Sequence, residues 1–199
     1  MPSPCDRASH LWCATYPVGM GAITQVVDRE LVGFVESAAE GDEVAFARIV
    51  SAYHDDMCRV CTFVAGEEAL AEDAVQTAWS IAWRKLDSLR DPERLRSWLM
   101  RVAVNETRKL LRARGQRERI EVALDASRIT GGPDPVTGID SLDMLAALGH
   151  LDPDDRTLLA LRYGLGYDAT ELSAVTGISP AGTRQRLKRL LDRLRQELE

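Results

Sequence analysis

Apolar residues recur along most of this chain at spacings of three and four, which is the period of an amphipathic α-helix. Between residues 26 and 86 the pattern predicts three helices, with Gly41 ending the first, Asp42 capping the second and Gly66 ending the second. No stretch of the chain shows sustained alternation with a period of two. The sequence therefore predicts an all-α protein.

A fourth predicted helix follows Asp91-Pro92, a helix-start signal, and occupies residues 94–114. Its apolar face consists of Leu95, Trp98, Leu99, Val102 and Leu110. A polar stripe beside that face consists of Arg101, Asn105, Arg108 and Arg112. One face suits a protein core and the other suits an anionic ligand. The alternative is a solvated basic face on an ordinary amphipathic helix.

The helical pattern fails from Gly115, and the segment Gly131-Gly132-Pro133 contains strong helix breakers. A second set of leucine-rich helices begins near residue 141. The chain is therefore expected to hold two small helical domains joined by a flexible linker. The predicted divisions are an irregular N-terminal extension at 1–25, a first domain at 26–114, a linker at 115–140 and a second domain at 141–199.

The second domain contains the pattern of a helix-turn-helix: a short helix capped by Asp168, a turn at residues 177–180, and a basic helix with a leucine stripe. Ser179 is the predicted cap of that basic helix. With the leucines turned inward, Gln185 and Arg189 are expected to point most directly outward, flanked by Arg184, Arg186 and Lys188. Glutamine can bond adenine, arginine can bond guanine, and the other cations suit phosphates. The alternative is a leucine-rich hairpin that packs on a protein partner.

The net charge of −6 argues against a uniformly basic nucleic-acid binder, but the charge is unevenly distributed. Residues 28–73 contain 12 acidic and 3 basic residues, whereas residues 90–119 contain 10 basic and 4 acidic residues. Residues 179–196 contain 6 basic residues and 1 acidic residue. Two separate basic segments on an acidic chain are typical of two local phosphate contacts.

Several functional classes have little support in the sequence. No apolar run approaches the roughly 18 residues of a membrane span, and the N-terminus lacks a convincing secretory signal, so we expect a cytoplasmic protein without a membrane partner. No Ser/His/Asp array, P-loop or dinucleotide fingerprint is present. We therefore expect no enzyme activity and no cofactor.

His54, Cys58 and Cys61 have the spacing of metal ligands on adjacent turns of one helix. Candidates for a fourth ligand are Cys5, His10 and Cys13. Cys61 also lies on the apolar stripe of its helix, where a small thiol packs well. Core packing is the preferred interpretation, with no metal bound, and a metal- or redox-responsive switch is the alternative.

Taken together, the motifs resemble those of bacterial RNA polymerase sigma factors of the extracytoplasmic-function (ECF) group of the sigma-70 family. The resemblance covers residues 28–114 and 141–199. The first part carries AEDAVQTAW at 71–79, AWRKL at 82–86, and SWL with RVAVN within 97–105. The second part carries LLALRY at 158–163, ELS at 171–173 and Ser179-Pro180.

The resemblance implies an all-α fold, binding to core RNA polymerase, and promoter recognition at the −10 and −35 elements. It assigns core polymerase contact to Glu72, Asp73, Gln76 and Trp79. It assigns the −10 element to Arg94, Arg101, Asn105, Arg108 and Arg112, with a flipped base held by the loop at 87–94. It assigns the −35 element to Ser179, Arg184, Gln185, Arg186, Lys188 and Arg189. An anti-sigma partner is also implied.

Two features depart from the family pattern. The Gly-Thr-apolar triplet that is usual at the start of the recognition helix appears as Ala181-Gly182-Thr183, and an acid that is common late in the −10 helix is replaced by Lys109. These departures bear on promoter sequence more than on family membership. Glu106 falls within the apolar stripe of the first basic helix, where a nearby arginine is a candidate partner. The rival interpretation of the chain is a stand-alone helix-turn-helix regulator, which would leave the first basic helix without a role.

Overall fold

The computed structural model describes residues 31–124, 148 and 150–197, with the side chains of 117–124 and 197 excepted. These residues form helices and no strand, which confirms the all-α prediction for the described part of the chain. The α-helices are α1 (31–39), α2 (Glu43–Ala65), α3 (Glu68–Lys85), α4 (Leu95–Leu124), α5 (Pro153–Leu159), α6 (Ala169–Thr176) and α7 (Pro180–Glu197). A π-helical segment, Ala160–Gly164, directly follows α5. The predicted N-terminal extension lies outside the described residues.

The ends of the helices follow from local chemistry. The Asp42 side chain accepts hydrogen bonds from the backbone N–H groups of Val44 and Ala45, so it satisfies donors that the first turn of α2 leaves unpaired. Gly66 ends α2 in the left-handed conformation at a φ of 73°, which glycine adopts without steric cost. Both ends agree with the sequence-based predictions.

Helices α2, α3 and α4 pack against one another around a common core. The face of α3 toward this core is built largely of alanines, which lets the backbones of the neighbouring helices approach closely. Large side chains on α2 and α4 fill the remaining space, and several are completely buried, including Ile49, Met57, Leu99 and Met100. Burial of each such side chain stabilises the fold by roughly 1.5–3 kcal/mol.

The C-terminal helices pack directly on this first group of helices. α5 contacts α2, α6 contacts α4, and α7 packs across α5 and α6. Leu158, Leu161, Tyr167 and Leu172 belong to the same hydrophobic cluster as the residues of α2 and α4. The two groups of helices predicted from the sequence therefore share a continuous core in this structure.

The predicted linker differs from the structure at its start. α4 continues through Gly115 to Leu124, so residues 115–124 are helical rather than extended. An interior glycine costs only about 1 kcal/mol of helix stability, and the glutamine, arginine, glutamate and leucine residues around it favour a helix. The remainder of the predicted linker, residues 125–140, lies outside the described residues.

Candidate nucleic-acid and polymerase interfaces

The basic stripe of α4 divides into two parts. Arg101, Asn105 and Arg112 are exposed and line one groove, of about 360 Å³, between α4 and the end of α3. Lys85 and Lys109 also line this groove. The groove therefore combines four cations with an amide, a set that suits the phosphates and base edges of a nucleic-acid strand.

Arg108 lies outside that groove. Its Nε is 2.8 Å from Oδ1 of Asp154 in the first turn of α5, and its side chain is only 18% exposed. Burial lowers the pKa of Arg108, and Arg186 and Arg112 lower it further, while Asp154 and Asp152 oppose the change. In this packing Arg108 faces the C-terminal helices, unlike the other three members of the predicted stripe.

The loop between α3 and α4 contains two short 3₁₀ turns, Leu86–Ser88 and Pro92–Arg94. Asp91 caps the second turn by accepting from the backbone N–H of Glu93 at 3.2 Å. Its other oxygen accepts from Nε of Arg94 at 3.0 Å, and both side chains are well exposed. Arg94 is thus held at the start of α4, on the loop predicted to hold a flipped base.

Helices α6 and α7 form a helix-turn-helix whose turn is fixed by capping. Asp168 accepts from the backbone N–H groups of Thr170 and Glu171, and the Glu171 side chain accepts from the Asp168 N–H, which completes a capping box. Gly177 ends α6 at a φ of 75°. Oγ of Ser179 then accepts from the N–H of Gly182 at 3.2 Å, so Ser179 caps α7.

The start of α7 packs tightly against the turn that precedes it. A Cβ atom on Gly182 would lie 3.0 Å from the Ile178 side chain and 3.2 Å from Oγ of Ser179. Glycine at this position lets the helix lie close to the turn that precedes it.

The outward face of α7 is largely available to a ligand. Ser179, Arg184, Gln185, Lys188 and Arg189 are exposed.

Arg186 is the exception on this helix. Its Nε donates to Oδ1 of Asp155 at 2.7 Å, and Asp152 lies 3.4 Å from one of its terminal nitrogens. Burial lowers the pKa of Arg186, but the hydrogen bond and the charges of Asp155 and Asp152 outweigh it, so the pKa is raised. The structure therefore gives Arg186 a role in packing α7 onto α5.

The predicted polymerase face of α3 is exposed along Glu72, Asp73 and Gln76. Trp79 lies at the edge of this face and is half-buried, with its ring 5.9 Å from that of Phe46 in an edge-to-face arrangement. Three polar groups and the rim of an aromatic ring thus form one surface, which is suited to contact with another protein.

The half-buried Trp79 connects this face to the candidate metal ligands. Nε1 of Trp79 donates to Nδ1 of His54 at 3.2 Å. The Nδ1 atom is therefore unprotonated, and the neutral ring carries its proton on Nε2, which lies 3.5 Å from Sγ of Cys58. A metal on Nε2 would require the proton on Nδ1, so this geometry disfavours His54 as a ligand.

The cysteines of α2 lie in the core. Cys61 is completely buried and Cys58 nearly so, which agrees with the preferred packing interpretation. Burial raises the pKa of the Cys61 thiol to about 12, with a hydrogen bond to Thr107 acting in the opposite direction. Among the described residues, no three His, Cys, Asp or Glu side chains are grouped so as to hold a metal ion. Cys5, His10 and Cys13 lie outside the described residues.

Arg96 is a structural residue that the sequence analysis did not single out. It is 8% exposed, its guanidinium lies 4.3 Å from the centre of the Tyr167 ring, and it donates to the Leu165 carbonyl at 2.9 Å. Glu171 lies 3.5 Å from its other terminal nitrogen. Helical periodicity could have indicated that Arg96 is buried, because it lies three and four residues before the buried residues at 99 and 100 and so on the same face of α4.

Arg156 makes a second contact of this kind. It donates to the Val64 carbonyl at the end of α2 at 3.1 Å, and also to the Leu151 carbonyl at 3.0 Å. The last turn of a helix leaves carbonyl groups unpaired, and Arg156 satisfies one of them. Together, Arg96 and Arg156 attach the C-terminal helices to α4 and α2.

Comparison with known proteins places these helices in two family regions. The family model Sigma-70 region 2 matches residues 49–117, and the model Sigma-70, region 4 matches residues 141–194. The chain is 30% identical over 169 residues to the RNA polymerase sigma factor CarQ of Myxococcus xanthus, covering 83% of this chain and 93% of that protein. It is also 29% identical over 168 residues to the probable RNA polymerase sigma factor RfaY of Xanthomonas campestris pv. campestris, covering 81% of this chain but only 42% of RfaY.

A solved structure supports the same relationship. The RNA polymerase sigma factor CnrH of Cupriavidus metallidurans is 27% identical over 164 residues, covering 76% of this chain and 85% of CnrH. The structure of CnrH in complex with the cytosolic domain of CnrY matches with a TM-score of 0.62 at 28% identity, covering 86% of this chain and 97% of that chain. The helical arrangement of this chain is therefore one found in proteins of related sequence.

Proposed function

Because the chain belongs to the extracytoplasmic-function group of the sigma-70 family, whose members act with RNA polymerase in promoter-directed transcription, we propose that its two basic helices divide the promoter between them. Residues 26–114 form the domain that binds core polymerase and the −10 element. Residues 141–199 form the domain that binds the −35 element. The observation that carries this proposal is the groove on α4, where Arg101, Asn105 and Arg112 lie together and exposed.

Recognition of the −10 element follows from the chemistry of that groove. Arginine and lysine side chains hold phosphates, while the Asn105 amide both donates and accepts hydrogen bonds and so can select among base edges. Arg94, on the adjoining loop, extends the cationic surface toward the point where a base leaves the duplex. Arg108 joins this surface when its contact with Asp154 opens.

Recognition of the −35 element is assigned to the exposed face of α7. The N-terminal half of such a helix enters the major groove, where Arg184 and Gln185 reach base edges. Lys188 and Arg189 contact the phosphates on either side, and Ser179 contributes from the turn. The pairing of Arg186 with Asp155 holds α7 at its angle on α5, so this residue acts on DNA recognition through orientation.

Contact with core polymerase is assigned to the exposed polar face of α3. The Glu72 and Asp73 carboxylates pair with cations of the polymerase, which fixes orientation more than it adds affinity. Gln76 supplies a directional hydrogen bond, and Trp79 supplies apolar area at the edge. The bond from Trp79 to His54 keeps the indole in one orientation for this contact.

The protein works in the cytoplasm as a subunit of the transcription enzyme rather than as an enzyme by itself, and it needs no cofactor. None of the helices in the described ranges is both long and apolar enough to cross a membrane. An anti-sigma protein is the expected regulator, by analogy with the complex of CnrH with the cytosolic domain of CnrY. Such a partner would cover the surfaces that contact DNA and polymerase until a signal releases it.

Run-off transcription with core polymerase on a promoter library tests this proposal. The wild-type protein should select promoters with two short elements. Arg101→Ala should lose selection at the downstream element, while Arg184→Ala should lose it at the upstream element. Each loss should amount to about 1–3 kcal/mol of recognition where a base is read. Failure of the protein to co-elute with core polymerase, or selection of one element only, would contradict the proposal.

A further inference from the structure

A carboxylate lies inside the cationic groove of α4. Glu106 lines the groove beside Asn105, and its side chain is only 12% exposed. Its Oε1 accepts from the Lys109 ammonium at 2.6 Å, so its partner is a lysine rather than an arginine. Lys109 itself is 61% exposed at the rim of the groove.

The groove has an apolar wall that ends at this carboxylate, and it has arginines as well. Ile81, Trp98 and Val102 form an apolar wall, and Glu106 continues the line of Trp98 and Val102 along α4. The cations Arg101 and Arg112 also line the groove. A phosphate is repelled by Glu106 and attracted by these arginines. An apolar wall and a hydrogen-bond acceptor suit a nucleobase, and the volume of about 360 Å³ accommodates one.

We propose that Glu106 is a specificity-determining residue, which accepts a hydrogen bond from the exocyclic amino group of cytosine or adenine in the opened −10 strand. A carboxylate only accepts hydrogen bonds, so an amino group satisfies it. The carbonyl oxygen that replaces the amino group in uracil, thymine or hypoxanthine places two acceptors against each other. The inference rests on the proposed function, because it requires that the −10 strand enter this groove.

The pair formed with Lys109 explains how the carboxylate is held for this task. Lys109 balances the charge of Glu106 in the absence of DNA and fixes one of its two oxygens. The other oxygen remains to accept from a base. Trp98 offers its ring for stacking on that base, as aromatic side chains do in many single-strand sites.

Binding of the reconstituted holoenzyme to single-stranded −10 oligonucleotides tests the proposal. At each position, cytosine is compared with 2-pyrimidinone and adenine with purine, because the two bases of each comparison differ only in the exocyclic amino group. The wild-type holoenzyme should prefer the amino-bearing base at one position by roughly tenfold. Glu106→Gln should reduce this preference to about twofold or less, because an amide both donates and accepts.

Two matched variants separate base reading from charge. Lys109→Met removes the neighbouring cation and should weaken binding to all strands, and it should reduce the preference for the amino-bearing base less than Glu106→Gln does, because the carboxylate is still present. Glu40→Gln removes an exposed acid on the turn after α1 and should leave both affinity and preference unchanged.

Three outcomes separate a failure of base reading by Glu106 from a failure of the proposed function. Suppose that the wild-type holoenzyme binds −10 strands but shows no preference for the amino-bearing base in either comparison at any position. Glu106 then does not read a base, and the proposed function stands. If Glu106→Gln keeps the preference, another residue reads the base and the inference is equally overturned. If the wild-type holoenzyme does not bind −10 strands at all, the proposed function itself fails. The wild-type comparison decides the first case even if the variant does not fold.

Discussion

Nε of Arg108 lies 2.8 Å from Oδ1 of Asp154, so one cation of the basic stripe on α4 is engaged by the first turn of α5. The same turn holds Arg186 of α7 through Asp155 and Asp152. One acidic segment therefore contacts both helices that the proposed function assigns to DNA. Its effect on binding can be measured by removing one charge at a time.

Asp154→Asn should increase the affinity of the free protein for single-stranded −10 DNA by roughly threefold. In wild type the ion pair between Arg108 and Asp154 must break before Arg108 can contact DNA, and the variant lacks this pair. The gain should be larger at low salt, since the pair is partly exposed and screened. Fluorescence anisotropy at two salt concentrations measures it. Asp192→Asn, which removes the exposed partner of Arg195 at the far end of α7, is the control. Equal affinity for wild type and Asp154→Asn would mean that this ion pair does not compete with DNA.

Arg96→Met should destabilise the protein by about 1–3 kcal/mol, because it removes charge-assisted bonds to the Leu165 carbonyl and to Glu171 and the stacking on Tyr167. Urea unfolding measures the change. Arg101→Met alters an exposed arginine on the same helix and should shift the midpoint little. Hydrogen exchange should accelerate in α6 in the Arg96 variant, and unchanged exchange there would contradict a role for Arg96 in holding α6 on α4.

Cys61 should make stability depend on pH in the alkaline range. Burial raises the pKa of its thiol from 9.0 to about 12. The full contribution of the protonated thiol to the free energy of unfolding is therefore present below pH 9 and is lost as the pH rises toward 12. The loss is about 1.4 kcal/mol per pH unit within that window. Urea unfolding at pH 8 and pH 10 should show this difference in wild type but not in Cys61→Ala.

The burial of Cys61 also predicts that its thiol reacts slowly with alkylating reagents. Iodoacetamide at pH 8 should modify this thiol only after unfolding, as peptide mapping by mass spectrometry would reveal. Rapid labelling of Cys61 in the folded protein would contradict its place in the core.

Substitutions of Arg184 and Arg186 should have different effects, because the first arginine is assigned to DNA and the second packs α7 onto α5. Arg184→Ala should weaken binding to the −35 element by about 1–3 kcal/mol with little change in stability, because Arg184 is exposed. Arg186→Ala should lower stability as well, because Asp155 is 8% exposed and, among the described residues, would keep only Arg193 as a charged partner. Filter binding on −35 duplexes and thermal melting together measure the two effects. Equal melting temperatures for both variants would contradict a packing role for Arg186.

The helix ends and the outward faces could be predicted from the sequence because they depend on local chemistry. Asp42, Asp168 and Ser179 cap helices through backbone groups within a few residues. The exposed residues of α3 and α7 follow from helical periodicity alone. Assignment of these faces to polymerase and DNA came from the resemblance to a family, since a basic or acidic face by itself fits many partners.

The contacts of Arg96, Arg108 and Arg156 could not be predicted in the same way. Apart from the Leu151 carbonyl bound by Arg156, each partner lies about 45 or more positions away in the chain, and these pairings depend on how α5 and α6 pack on α2 and α4. The extension of α4 past Gly115 also departs from the prediction, because the helix-forming residues around this glycine outweigh its own preference against a helix.

The acidic turn at 152–155 also limits how this protein can be recombined with its relatives. A hybrid that joins the first half of this chain to the second half of another would leave Arg108 facing whatever side chain replaces Asp154. A neutral or basic replacement would remove the attraction, and the two halves would separate more readily even though each half folded well. Exchange of promoter specificity between such proteins is therefore best made within α7, at exposed positions such as Arg184 and Gln185, with the turn and Arg186 left as they are.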